Sequence, residues 1–161
     1  DPALKPISEY MVQEGMEKYY FPSGSVCIPG FVVWDEIERD GSLYVFGNFR
    51  IYGYYLNGNT LENVSGGENP ARFELKQNAL GEYEITEVLF TGDGPDYAKG
   101  IRDFTQGFDG VYEKYFSAQT DTGKDIRREA RKAFIRMYEE QNHLGIEYYK
   151  DYGWEPVAIY E

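Results

Sequence analysis

Histidine and cysteine are almost missing from this chain: His143 and Cys27 stand alone in 161 residues. A lone cysteine forms no internal disulfide and builds no cysteine metal cluster, and a lone histidine excludes histidine-rich metal sites. No metal and no cofactor is therefore expected, and cysteine number leaves the compartment open. No apolar run approaches the roughly 20 residues that span a bilayer as a helix. No signal-peptide pattern is present. The opening "DPALKP" lacks Met, so it reads as a mature or trimmed product, compatible with an upstream signal, lipid anchor or further domain. Positive charge is also scarce, with 16 Lys+Arg against 28 Asp+Glu and a formal net charge of -12. Phosphate binding needs a basic footprint, so nucleic acid is not the expected partner. Anionic lipid surfaces are disfavoured for the same reason.

Aromatic residues are plentiful. Sixteen Tyr and ten Phe, in a chain 42% hydrophobic, supply one sizeable core and argue against disorder. A single domain over residues 1–161 is expected, with 144–161 a candidate C-terminal extension. A helix is predicted over residues 6–20, where Ile7, Tyr10 and Met11 share a face. Gly15 weakens it, and "FPSG" stops it. Strands are predicted over 31–38, 42–56, 71–77 and 82–90. Asp40-Gly41 is a strong hairpin signal between the first two. Residues 57–70 read as a flexible turn or a bulged extension of the second strand. Four strands with no helix between them imply an antiparallel meander. Beyond Pro95 the period becomes helical, with a break near 107–110 where glycines gather. Another helix is predicted over 123–143, and a short strand at 157–160.

The stretch "DIRREARKAFIR" concentrates Arg127, Arg128, Arg131, Lys132 and Arg136 in an acidic chain. Placed on a helix, Ile126, Ala130, Ala133, Phe134, Met137 and Tyr138 form one stripe and the cations fall off it. The expected arrangement is a solvated cationic face, with Glu129–Lys132 and Arg136–Glu140 pairs along it. The alternatives are a site for an anion or acidic partner, or an intramolecular dock onto the chain's own carboxylates.

Catalytic motifs are weak. "DTG" at 121–123 lacks the second aspartate of an aspartic protease and reads as a helix start, capped by Asp121 or Thr122. "TGDGPDY" at 91–97 carries Asp93 and Asp96 but misses the ligand spacing of a calcium loop. His143 falls at a helix end, where capping suits it. Cys27 shows no activating partner and reads as a small buried apolar residue. "SGGENP" lacks the lysine and the helix of a phosphate loop. "NVS" at 63–65 matches a glycosylation acceptor, relevant only in a eukaryotic secretory route.

Strand alternation supplies the candidate ligand-binding residues. On the long second strand, Leu43, Val45, Phe49, Ile51 and Tyr55 point one way and suit packed helices. Tyr44, Phe46, Arg50, Tyr52 and Tyr54 point the other way, with Trp34 on the neighbouring strand. Aromatic bodies with polar tips suit a binding surface; the alternative is an ordinary exposed sheet face.

The "DEIERDGSLYVFGNFRIYGYYLNG" hairpin, "VSGGENPARFEL", "YEITEVLFTGDGPDYAKGI" and the basic helix, in that order, resemble a domain of Gram-positive bacteria. It occurs in predicted clostridial lipoproteins and downstream of beta-lactam-sensor-type membrane metallopeptidases. The resemblance covers residues 7 to 143. It implies an extracytoplasmic location, in the cell envelope or secreted, and carries over no catalytic residue. The peptidase chemistry of such proteins belongs to a separate membrane domain with zinc-binding histidines.

The expected fold is α+β, an antiparallel meander sheet of four or more strands with helices packed on one face, cystatin-like or nuclear-transport-factor-like. The expected function is a non-enzymatic extracytoplasmic binding or sensory domain for a protein or small-molecule ligand. Two other readings are weighed against it. One is a small enzyme of nuclear-transport-factor-like fold with a carboxylate and tyrosine pocket. The other is a module that homodimerises through Tyr44, Phe46 and Tyr52.

Overall fold

The computed structural model describes residues 1–92 and 94–161. Ten elements follow in chain order: α1 (Leu4–Lys18), β1 (Val26–Arg39), β2 (Ser42–Asn57), β3 (Thr60–Gln77), β4 (Tyr83–Phe90), α2 (Asp96–Thr105), α3 (Val111–Ser117), α4 (Asp121–Asn142), β5 (Tyr148–Lys150) and β6 (Val157–Ala158). The class is α+β. Strands β1 to β4 pair antiparallel in chain order. β5 then adds to the start of β3 in parallel, and β6 adds antiparallel to β5, so the sheet is mixed.

The β1–β2 hairpin turns on Asp40 and Gly41, both left-handed at φ 53° and 81°. That is the two-residue turn whose twist matches paired strands. Residues 57–70 are not a loop. Gly58 turns the chain at φ 63°, and β3 begins at Thr60. The extension is bulged, as composition suggested, but it belongs to the third strand. Pairing shifts by one residue opposite Gly53–Tyr54, and Gly66 there holds φ 125°. Gly66, Gly67 and Pro70 look like loop residues in sequence; long cross-strand pairing with β2 overrides them.

Helices pack on the face assigned to them. α1 lays Ile7 and Met11 on Val45, Phe49, Ile51, Phe73 and Leu75, all fully or almost fully buried. Tyr10 meets the Phe73 ring edge-on at 5.5 Å. The reverse face is covered as well. α2 and α3 bury Ile101, Phe104, Phe108, Val111 and Tyr115 over Phe46. The break between them falls at Gly107 and Gly110, left-handed at φ 87° and 81°. α4 sets Ile135 against Ile28, Tyr54 and Leu61, and its Phe134 ring lies 4.7 Å from that of Phe31.

α4 starts one residue before the predicted caps: the Thr120 hydroxyl accepts from the Gly123 amide at 3.1 Å. It ends at His143, left-handed at φ 53°. Residues 144–161 are woven into the core. Ile146, Tyr149 and Ile159 are buried in the same cluster as Leu61 and Ile135. Asp93 lies outside the described residues.

Candidate binding site

The six side chains offered as a binding surface do not form an open face. The structure divides them between two buried regions. Trp34, Tyr44 and Phe46 belong with α2 and α3. Trp34, at the β1 bulge, donates its indole N–H to Asn48 Oδ1 at 2.8 Å. The Tyr44 hydroxyl donates to Glu74 at 3.0 Å, and its ring lies 4.8 Å from that of Phe108. Phe46 is fully buried. Arg50, Tyr52 and Tyr54 lie instead beneath α4. The face that the dimer alternative would use, with Tyr44, Phe46 and Tyr52, is therefore occupied by helices of the same chain. Neither an exposed sheet nor an open aromatic surface describes it.

What lies beneath α4 answers the question posed by its arginines. The solvated-face reading holds for Arg128, which pairs with Asp125 at 2.9 Å on the outside. It fails for the others, although Lys132 keeps the expected pair with Glu129 at 3.3 Å. Ile126 and Met137, placed on the buried stripe by sequence, are about half exposed. Phe134 and Tyr138 of that stripe do pack on the core, joined there by Gly123, Arg127, Arg131 and Ile135. The buried side of the helix is thus shifted from the apolar stripe toward Arg127, Arg131 and Ile135. The chain docks its cations on its own carboxylates and carbonyls, the intramolecular alternative.

Two charged centres result. In the first, Glu68 on β3 is shared by two arginines. Arg50 reaches one carboxylate oxygen at 2.8 Å, and Arg127 holds the other through Nε and Nη2. The Arg50 and Glu68 side chains are about 5% and 8% exposed. Burial alone would raise the Glu68 carboxyl, but the hydrogen bonds and charges of Arg127 and Arg50 outweigh it and hold it below the usual carboxylate range. Such a carboxylate stays ionised and is poorly suited to donating a proton.

In the second centre, Arg131 grips Asp151 with two hydrogen bonds of 2.8 Å each. Its Nε donates to the Tyr54 hydroxyl at 3.0 Å. The guanidinium lies 4.5 Å from the Tyr52 ring centre and 4.2 Å from that of Tyr149. Burial works against this charge, yet Asp151 and Tyr54 more than offset it, leaving Arg131 more firmly protonated than usual. Burial pushes the Tyr54 hydroxyl up to about 12. Along the same helix, Lys132 donates to the Glu161 carbonyl at 3.2 Å and Arg136 to that of Ile159 at 2.5 Å, in place of the Arg136–Glu140 pair.

The cations of α4 therefore clamp the C-terminal hairpin, β5–β6. Its inner side chains, Tyr149 and Ile159, are buried; Tyr148 and Tyr160, on the alternate face, are exposed. The tip between the strands returns through a turn closed by Trp154 N–H to the Asp151 carbonyl at 3.0 Å. Tyr152 is 96% exposed there and Trp154 75%. Two large aromatics held in water by a braced backbone form the candidate binding site. Sequence reasoning set this tail aside as an addition. Its signal was the spacing of Tyr148, Tyr152, Trp154 and Tyr160 around Gly153 and Pro156, with strand alternation on both sides.

The remaining candidates are placed as follows. A groove of about 500 Å³ runs between α1 and α4 along the edge strand β1, lined by Leu4, Ile28, Phe31, Phe134 and Met137, with no buried carboxylate in its lining. His143 is exposed at the α4 C-terminus. Asn63 is held inside β3, donating to the Gly53 and Ser65 carbonyls. Cys27 is partly buried, and burial pushes its thiol up. Among the described residues, no group of three or more His, Cys, Asp or Glu is placed to hold a metal ion, and no helix is long and apolar enough to cross a membrane. Comparison with protein-family models, with curated proteins and with solved structures finds no match.

Proposed function

We propose that this chain is a non-enzymatic, extracytoplasmic binding or sensory domain that recognises its ligand through the tip of the β5–β6 hairpin. One observation carries the reading: Tyr152 and Trp154 project into water from a loop anchored by the two-point Arg131–Asp151 pair. Large aromatics are costly to leave solvated and favour the centres of interfaces. Tyr52 and Tyr54 then serve recognition from below, as part of the box that positions Arg131. Glu68 supports the same reading from the other side. An enzyme pocket built on a carboxylate needs that group free and its proton tuned toward neutrality; here two arginines saturate it. α1 lying on the antiparallel strands β1 to β4 supports the cystatin-like comparison.

The test compares the intact chain with a Tyr152→Ala/Trp154→Ala variant on arrays of peptides and glycans. Both side chains are exposed, so the variant should keep its melting temperature, since surface changes of this kind stay within about 0.5 kcal/mol. Ligands retained by the wild type and lost by the variant are the expected result. Equal retention by both overturns the site. Fractionation of the native host tests the compartment: recovery in the cytosol overturns the extracytoplasmic assignment.

A further inference from the structure

We infer that the hairpin receives a basic segment of a partner protein, its arginine or lysine side chains seated on Tyr152 and Trp154. This deepens the binding reading above and rests on it.

The first argument is the molecule's own habit. Several of its inner rings lie under its own cations: Arg131 over Tyr52 and Tyr149, Arg39 over Phe108 at 4.1 Å, Arg72 over Tyr44 at 5.3 Å. The same face-on pairing is open to an external cation at Tyr152 and Trp154, and a cation partly desolvated over Trp is held best. The second argument is local charge. Residues 147–161 carry Glu147, Asp151, Glu155 and Glu161 against one base, Lys150. Asp151 is taken by Arg131, but the three glutamates are exposed. Glu155 directly follows Trp154 in the chain, Glu147 stands at the hairpin base beside Asn59, and the tail as a whole carries more acid than base, which favours a cation.

The third argument is exclusion by net charge. A second copy of this chain brings another -12 to the contact, and anionic lipid or nucleic acid adds more of the same sign. A basic partner alone is drawn in, and steering of that kind raises the association rate and weakens with salt. The fourth is order. The loop is braced by Arg131 at its base and by buried Tyr149 and Ile159 on its flanks, so little conformational freedom is lost on docking.

The chain contains two tryptophans, which gives a direct readout. The Trp34 indole N–H is bonded to Asn48, whereas Trp154 is exposed. ¹⁵N-labelled full chain is titrated with an arginine–serine repeat peptide and with the same peptide carrying uncharged citrulline for arginine. The expected result is movement of the Trp154 indole signal alone, with affinity falling about tenfold between low and physiological salt. Tyr152→Ala/Trp154→Ala should weaken the arginine peptide at least about tenfold at unchanged net charge, a loss of the size one cation–π contact and one aromatic anchor supply. Equal binding of the citrulline peptide overturns the basic-partner inference while leaving the hairpin a binding site. Unchanged binding by the double variant overturns it too, reducing the attraction to net charge. An unmoved Trp154 with both peptides also sinks the inference; the binding reading itself falls only if the arrays are blank as well.

Discussion

At Glu68 a single carboxylate balances two arginines in a nearly water-free place. Removing one partner of such a group strands the others, a loss of about 3–5 kcal/mol. Glu68→Gln should therefore lower the unfolding free energy from urea titration by that much, while Arg128→Gln on the outer face of the same helix should leave it within about 0.5 kcal/mol. The pH dependence has a definite sign. The folded carboxyl lies below its ordinary 4.5. Its contribution is thus present above that value and is lost as pH falls through the lower folded one. Wild-type stability should decline on acidification in that window, and the slope should be shallower in Glu68→Gln. An identical acid limb in both proteins would remove Glu68 as its source.

Two elements show how context decides the value of a residue. Gly15 sits inside α1, where Ala would ordinarily gain about 1 kcal/mol. Here an added Cβ would meet Ile51 Cγ1 at 2.6 Å, and Ile51 is β-branched and buried. Overpacking of that kind costs about 1–3 kcal/mol, so the steric term wins. Gly15→Ala should melt below the wild type; a rise in melting temperature would show that α1 shifts freely on the sheet. The C-terminal hairpin is the second case. Truncation after His143 removes Ile146, Tyr149 and Ile159 from one cluster. It also takes Asp151 from Arg131, and the carbonyls of Glu161 and Ile159 from Lys132 and Arg136. The loss should exceed the roughly 4–5 kcal/mol that marks exceptional changes. A 1–143 fragment unfolding at the wild-type denaturant midpoint would contradict this account of the tail.

For the molecule as a whole, a charge of -12 is a standing self-repulsion opposed by a few shielded pairs. Surface repulsion is screened within about 8–10 Å at moderate ionic strength, whereas pairs such as Arg50–Glu68 are screened much less. Added sodium chloride should accordingly raise the melting temperature as it weakens capture of a basic peptide. Stability and association should thus move in opposite directions in one titration. A melting temperature that falls with salt would mean that exposed pairs such as Lys99–Asp103 outweigh the net charge.

Residue type and local period were enough for the strands of the β1–β2 hairpin, the Asp40-Gly41 turn, the α1 face of Ile7 and Met11, and the glycine break between α2 and α3, because each is settled within a few residues. β3 was half hidden: Gly66, Gly67 and Pro70 suggest a loop, and only their distant partners Tyr52, Ile51 and Asn48 on β2 make them strand. The facing of α4 was misread because apolarity marks burial only when every buried charge lacks a partner. Arg127 and Arg131 found carboxylates at Glu68 and Asp151, one far upstream and one far downstream, and that pairing turned the helix. The same contact drew the tail onto the sheet and left Tyr152 and Trp154 outside it. Such long-range matching of charges has no period, so it exists only once the chain is folded.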